Sequence, residues 1–309
     1  MGSDVSVVVV SYNTRTLLRA CLQSVYASQL VPREVFVVDN ASHDGSAEMV
    51  AAEFPRVTLV ALDRNLGFAG ANNVAIRRCQ GARILLLNPD ATLAPDALGR
   101  LSAALDRRPG AASAGPRVLN PDGTLQSCGY RFPTLLREIR QSKHVNVALS
   151  AVLGPDPEPD PPVEETEVDW SDGSCLLLRR AAIEEIGGLD EQYFLFNEEV
   201  DWCFNARRAG WAVVVVPAAT VWHHRGQSSR NTGTGSLSTA LLVETRLRYY
   251  RKNHSLPTAV AAAAVLGAGF LKQRGADPAA GAKLDGIGRW RRSLLKVPAA
   301  LRRPVARAG

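Results

Sequence analysis

The sequence predicts an α/β fold, a doubly wound and mainly parallel sheet followed by a helical, basic C-terminal extension. Three observations carry that expectation. Short β-branched runs without alternation mark strands covered on both faces. Segments of helical period follow them one by one, as crossover connections require. The strands end abruptly on polar residues, chiefly acids, where the ligand crevice of such a sheet lies. The 309 residues, 46% hydrophobic, suffice for one large α/β domain with additions or for two small ones.

Val5 to Val10 reads as the first, central strand. Leu17, Leu18, Cys21, Leu22 and Val25 then recur at helical spacing, with Asn13 or Thr14 as the N-cap. Glu34 to Val38 is a second parallel strand that ends on Asp39-Asn40, and a helix follows near Ser46 to Phe54. Val57 to Leu62 is the third, running into Asn65-Leu66-Gly67-Phe68 and a helix through Arg78. Ile84 to Leu87 is the fourth and delivers Asn88-Pro89-Asp90 to its carboxyl edge. Pro89 has no N–H and stops the ladder there. Asn88 and Asp90, two apart in extended chain, face one side, and a hard cation on a diphosphate needs one or two such oxygens. An ordinary strand-end turn competes for the same residues, as it does for Asp39-Asn40.

Pro95 to Leu105 is an amphipathic helix with Pro near its start. Arg131 to Leu149 mixes basic and apolar residues, and Pro155 to Glu165 is proline-rich and acidic, a mobile loop by composition. Order resumes at Val168 to Ser174, then a strand at Cys175 to Leu178, a helix at Arg180 to Ile186 and the turn Gly187 to Glu191. Asn197 is placed to cap a helix ending near Gly210, and its first turn holds Glu198, Glu199 and Asp201. Capping electrostatics explains acids in a first turn; crowding of three beside aromatics raises at least one pKa towards that of a base. A strand at Trp211 to Val216 leads to His223-His224, a metal ligand, an anion contact or a structural pair.

Composition excludes several classes. The five cysteines are odd in number and widely spread, without a C-x-x-C pair, so neither a disulfide framework nor a zinc site is expected and a reducing cytoplasm is the natural setting. No signal peptide is visible. The G-x-G-x-x-G and G-x-x-x-x-G-K-[ST] patterns are absent, which removes nicotinamide hydride transfer and Walker-type NTPases. The net charge of +6 is split: residues 241–309 hold fourteen Lys/Arg against three Asp/Glu, and the first 240 hold twenty-two against twenty-seven. Ala259 to Leu271 is apolar for about thirteen residues, short of the roughly 20 of a spanning helix. With Arg289-Trp290-Arg291-Arg292 and Lys296 it suits an anionic interface, or a soluble hairpin packed on the rest.

The ordered series Ser11-Tyr12-Asn13, Val38-Asp39-Asn40, Asn65-Leu66-Gly67-Phe68, Asn88-Pro89-Asp90, Gly187 to Glu191, Glu198-Glu199-Val200-Asp201 and Trp222-His223 resembles glycosyltransferase family 2 over roughly residues 4 to 254. The Asn-Pro-Asp form and Arg246 to His254 look most like the bacterial rhamnosyltransferase branch that builds cell-surface polysaccharide. The resemblance implies a GT-A fold and inverting, Mg²⁺- or Mn²⁺-dependent transfer. The implied donor is a nucleotide-sugar, dTDP-rhamnose in that branch, and the acceptor is polyprenyl-diphosphate-linked or a glycan. It implies donor binding by Ser11, Tyr12, Asn13, Asp39, Asn65, Gly67, Phe68, Asn88 and Asp90, with Asp39 on the pyrimidine and Asp90 and His223 on the metal. Glu199 is the implied general base, ahead of Asp201 and Glu198; Trp170, Arg246 and Arg248 are expected to contact acceptor or diphosphate. The expected domains are 1–235, divided into a nucleotide-binding half 1–110 and an acceptor half 111–235, and the extension 236–309. A cytoplasmic protein peripheral to the inner leaflet, without nucleic acid, is expected. A UDP-hexose or UDP-N-acetylhexosamine enzyme of the same fold and a non-catalytic membrane-associated scaffold are the alternatives; a nucleotidyltransferase is disfavoured because no Gly-rich, Arg-containing loop follows the first strand.

Overall fold

The computed structural model describes residues 3–141, 160–224, 235–273, 277 and 279–295. Strand β1 (Val5–Ser11) is buried along its whole length, as its non-alternating β-branched run requires. It pairs in parallel with β2 (Glu34–Asp39) on one side and β4 (Arg83–Leu87) on the other, and β3 (Thr58–Ala61) adds to β2, also parallel. Helices α1 (Arg15–Tyr26), α2 (Ser46–Glu53) and α3 (Gly67–Ile76) make the connections. The carboxyl ends of β1, β2 and β4 therefore lie on one edge, with Ser11 beside Asp39 in register.

The chain continues through β5 (Ala91–Leu93), α4 (Ala97–Arg107), β6 (Ala111–Leu119), β7 (Leu125–Ser127), α5 (Leu135–Gln141), β8 (Thr166–Val168), β9 (Cys175–Arg179), α6 (Arg180–Ile186), α7 (Glu198–Arg208) and β10 (Ala212–His223). The sheet order is β3-β2-β1-β4-β9-β6-β10-β5, with β7 on β6 and β8 on β10. The block around β1 is parallel; β9 joins it to the parallel pair β6 and β10 by running antiparallel to both β4 and β6. One face of the sheet buries Leu22, Leu85, Leu98, Leu101 and Val214, the other Phe36, Ile84, Leu86, Leu176 and Trp202. Each such side chain stabilises the fold by about 1.5–3 kcal/mol relative to exposure.

Several expectations need correction. Residues 111–119 were not anticipated as a strand because Gly115 and Pro116 interrupt them. Pro116 is tolerated because β9 pairs only with Ser113 and Ala114 of β6, and β7 pairs only with Val118 and Leu119. The strand expected at Trp211 to Val216 runs on through Pro217 to His223, taking up the proline in a register shift between Val216 and Thr220. Asn197 precedes α7 but does not cap it with its side chain; it sits at φ +65° in the left-handed region. Thr14 takes the N-cap place of α1, yet its hydroxyl bonds Ser11 Oγ at 2.8 Å. Of the acidic proline-rich segment, residues 155–159 lie outside the described residues, while Glu165 is held 2.6 Å from both Arg107 and Arg108. Lys296 also lies outside them.

The chain divides into two compact units, Met1–Pro133 with Asp156–Gly235, and Thr134–Pro155 with Ser236–Gly309. The second holds α5 together with α8 (Gly235–Asn253), α9 (Leu256–Gln273) and α10 (Ala280–Leu295). Within it Tyr250 Oη donates to Glu138 Oε1 at 2.9 Å, and Arg246 Nη1 lies 3.5 Å from the same oxygen. Among the described residues no helix is long and apolar enough to cross a membrane. All five cysteines fall in the first unit, buried and unbridged; burial pushes the Cys79 thiol up to about 11 and Cys203 to about 12.

Candidate active site

Asp39 closes β2 and is 4% exposed. Its Oδ2 accepts from Ser42 N at 3.0 Å, while its Oδ1 is buried without a hydrogen-bond partner. An orphaned buried acceptor is costly, and at a strand end it marks a place for a donor from outside. The loop around it is firmly made. Asn13 Oδ1 accepts from His43 N at 2.8 Å, and Asn13 N donates to Ser42 Oγ at 3.0 Å, which ties the Ser11-Tyr12-Asn13 turn to the loop after Asp39. Asn40 donates to Asn65 Oδ1 at 2.9 Å and to Gly67 O at 3.2 Å, and accepts from Leu66 N at 2.8 Å. Asn65 Oδ1 also accepts from Gly67 N, so that oxygen serves the loop itself. Gly67 has φ +76°, and a Cβ there would stand 2.3 Å from Phe194 O. Phe68 N donates to that same carbonyl at 2.7 Å, bringing the segment before α7 against the start of α3.

Asp90 follows β4, 4% exposed, and β5 pairs antiparallel with the end of β10 so that Ala91 opposes His223. The result sets His223 Nε2 3.2 Å from Asp90 Oδ1, with the Asn88 amide 3.4 Å from the same nitrogen. His224 has a different part: its backbone N donates to Asp90 O at 2.9 Å. On its other nitrogen His223 meets Gln126 Oε1 at 2.7 Å. Among the described residues no group of three His, Cys, Asp or Glu gathers for a metal. Asp90 and His223 nevertheless fit a divalent cation, since a carboxylate and an imidazole suffice when substrate phosphates complete the shell; Asn88 presents its amide nitrogen there. His223 Nε2 and Asp90 Oδ1 lie face to face, a place that suits a proton or a cation.

The second acidic cluster is linked to the first through residues 173–174. Asn88 N donates to Ser174 O at 2.8 Å, and a Cβ on Gly173 would lie 3.4 Å from Glu199 Cβ and Cγ, so the Glu199 side chain lies over Gly173. The three acids of α7 separate by environment. Glu199 is half-buried; Glu198 is 4% exposed with an unpartnered Oε2. Burial, and then the neighbouring Glu199 charge, hold the Glu198 carboxyl well above the usual range. Asp201 has both oxygens engaged, Oδ1 by Tyr193 Oη at 3.2 Å and Oδ2 by Asn205 Nδ2 at 3.2 Å, as a brace inside the turn. Trp170 is half-buried, stacked on Tyr130 at 4.3 Å with its Nε1 donating to Arg131 O. Arg246 and Arg248 belong to the second unit. The residues that sequence reasoning missed, Gln126, Tyr130 and Gly173, carry no local motif; their roles come from partners 26 to 97 residues away.

Acids at the carboxyl ends of β2 and β4, on either side of β1, with a further acidic turn beside them, lie where an open α/β sheet binds its ligand, and this is an α/β protein with an acidic ligand crevice. Residues 3–251 match the family described as glycosyltransferase like family 2, and the chain belongs to that family. It is 32% identical over 250 residues to the N-acetylglucosaminyl-diphospho-decaprenol L-rhamnosyltransferase of Mycobacterium tuberculosis, covering 74% of this chain and 78% of that one. It is 26% identical to the dTDP-rhamnosyl transferase RfbF of Shigella flexneri, over 74% of this chain and 72% of RfbF. Among solved structures it is similar to the mannosyltransferase PcManGT of Pyrobaculum calidifontis in complex with GDP-Man and Mn²⁺, with a TM-score of 0.56 and 18% identity over 96% of this chain and 81% of that one. The fold is thus the GT-A glycosyltransferase fold, and the chain is a glycosyltransferase that uses a nucleotide-sugar donor.

Proposed function

We propose that this glycosyltransferase moves L-rhamnose from dTDP-rhamnose, with inversion, to a hydroxyl of a polyprenyl-diphosphate-linked acceptor in cell-surface polysaccharide synthesis. The mycobacterial and Shigella relatives support the sugar and the acceptor class. The observation that carries the mechanism is the placing of Asp39 and Asp90 at the ends of β2 and β4, on either side of β1. Two inter-strand spacings separate them by about 10 Å, within the reach of a nucleoside and its diphosphate. Asp39 Oδ1 accepts the ring N–H of the pyrimidine. Asp90 and His223, with Asn88 beside them, would hold a divalent cation, Mg²⁺ or Mn²⁺, which would neutralise the departing diphosphate. Glu199, half-buried and backed by Gly173, takes the proton of the acceptor hydroxyl, and Glu198 keeps its own proton beside it. The Tyr130–Trp170 stack offers an aromatic face to a sugar. The basic helices of the second unit serve the anionic inner leaflet where such an acceptor resides.

The test is donor binding and hydrolysis by the purified protein against UDP-, dTDP- and GDP-sugars, with Mg²⁺, Mn²⁺ or EDTA. Selective, metal-dependent use of dTDP-rhamnose is expected; selection of a UDP-sugar would overturn the sugar assignment. Glu199→Gln should lower transfer about 100- to 10,000-fold while donor Kd stays within about threefold; unchanged transfer would remove Glu199 from its role.

A further inference from the structure

The turn between β6 and β7 ends in a chain of side-chain hydrogen bonds that runs in one direction only. Asp122 Oδ1 accepts from Thr124 Oγ1 at 2.6 Å. A carboxylate at neutral pH only accepts, so the Thr124 hydroxyl has given its proton and must accept in turn, which it does from Asn120 Nδ2 at 2.9 Å. That leaves Asn120 Oδ1 to accept from Gln126 Nε2 at 2.8 Å, and Gln126 Nε2 donates a second time, to His223 O at 3.1 Å. Both amide orientations follow from the acid at the end of the chain. Gln126 Oε1 is thereby turned onto His223 Nδ1 at 2.7 Å.

We propose that Gln126, oriented by Asn120, Thr124 and Asp122, is a positioning residue that keeps the His223 ring proton on Nδ1 and so leaves Nε2 bare toward Asp90 and a divalent cation. Without it the proton goes to the other side of the ring, where Asp90 Oδ1 accepts at 3.2 Å from Nε2; with it the nearer acceptor is Gln126 Oε1, 2.7 Å from Nδ1. A protonated Nε2 cannot ligate. Gln126 therefore competes with Asp90 for one proton, and the turn from Asn120 to Gln126, which touches no substrate group in the proposed mechanism, decides the chemistry of a nitrogen in the site.

The inference rests in part on the metal reading given above, so its test has a metal-free arm. In protein labelled with ¹⁵N-histidine and freed of metal, at pH 8.5, His223 should show its proton on Nδ1. Gln126→Leu should move it to Nε2, and Gln126→Glu, which restores an acceptor but not the donors, should return it to Nδ1. A wild-type Nε2 proton, an Nδ1 proton that survives Gln126→Leu, or failure of Gln126→Glu to restore it would each overturn the proposal. Should Gln126→Leu not fold, Gln126→Met decides on the same signal. In the second arm, Mn²⁺ binding followed by calorimetry should weaken about 10- to 100-fold in Gln126→Leu and stay within about threefold in Gln126→Glu. Equal Mn²⁺ affinity in wild type and Gln126→Leu would overturn the link between the tautomer and ligation. A wild-type chain with the Nδ1 proton that binds no Mn²⁺ would sink the metal reading and leave the positioning role standing.

Discussion

At the scale of single residues, the candidate site is a set of acids made unlike one another by their surroundings. Asp39 keeps one oxygen bare, Asp90 shares a histidine, Glu198 is buried and Asp201 is braced. Asp39→Ala should weaken pyrimidine-nucleotide binding about 10- to 150-fold, the equivalent of the about 1.5–3 kcal/mol of a hydrogen bond to a charged group, as read by calorimetry with dTDP. Glu198 gives a pH signature. Its folded-state pKa is raised, so the native chain holds a proton that the unfolded chain loses above the ordinary glutamate value of about 4.3. Stability contributed by this group is full below that value and falls as pH rises toward the folded pKa, by up to about 1.36 kcal/mol per pH unit. Glu198→Gln should remove that fall, so urea denaturation between pH 5 and 9 should find the variant gaining on the wild type as pH rises. Which acid would be braced and which would lie against Gly173 could not be read from Glu-Glu-Val-Asp, because Tyr193, Asn205 and Gly173 make the distinction through contacts in space.

Among the elements, legibility followed composition. The β-branched runs of β1, β2 and β4 and the apolar period of α1 are where the sequence placed them, since a strand buried on both faces admits little else. Strands β5, β7 and β8 are three residues each, too short for any period, and β6 hides behind Gly115-Pro116. The histidine at the end of β10 was visible as a residue, but its partner Asp90 depended on the antiparallel pairing with β5. The loop before α7 is held to α3 at both of its ends. Asn73 donates to Leu189 O at 2.7 Å and accepts from Leu189 N at 3.0 Å; Gly67 lets Phe194 O approach. Asn73→Leu should cost about 1–3 kcal/mol by leaving both backbone groups of Leu189 unpaired, measured by urea denaturation. Gly67→Ala meets both a positive φ and a backbone oxygen, and should lower the urea midpoint and donor affinity together.

For the molecule as a whole, the division of charge matches the division into units: the acid-rich sheet unit and the Lys/Arg-rich helical one. Leu256, Val260 and Leu271 of α9 are 49%, 53% and 60% exposed, the apolar complement to those cations at an interface. The full chain should sediment with vesicles of anionic lipid, and less so as salt rises; a chain ending at Asn253 that sediments as well would refute a membrane role for α9 and α10. That α5 joins these helices was not foreseeable, since its seven residues carry no repeat and their partner Tyr250 lies 112 residues on. The distribution of sulfur has a practical consequence of its own. With every thiol sealed inside the sheet unit and none in the helical unit, a maleimide added to native protein meets a closed door until the sheet opens. Labelling speed then times the opening of one unit alone, against which the binding of a nucleotide-sugar can be clocked without any engineered probe.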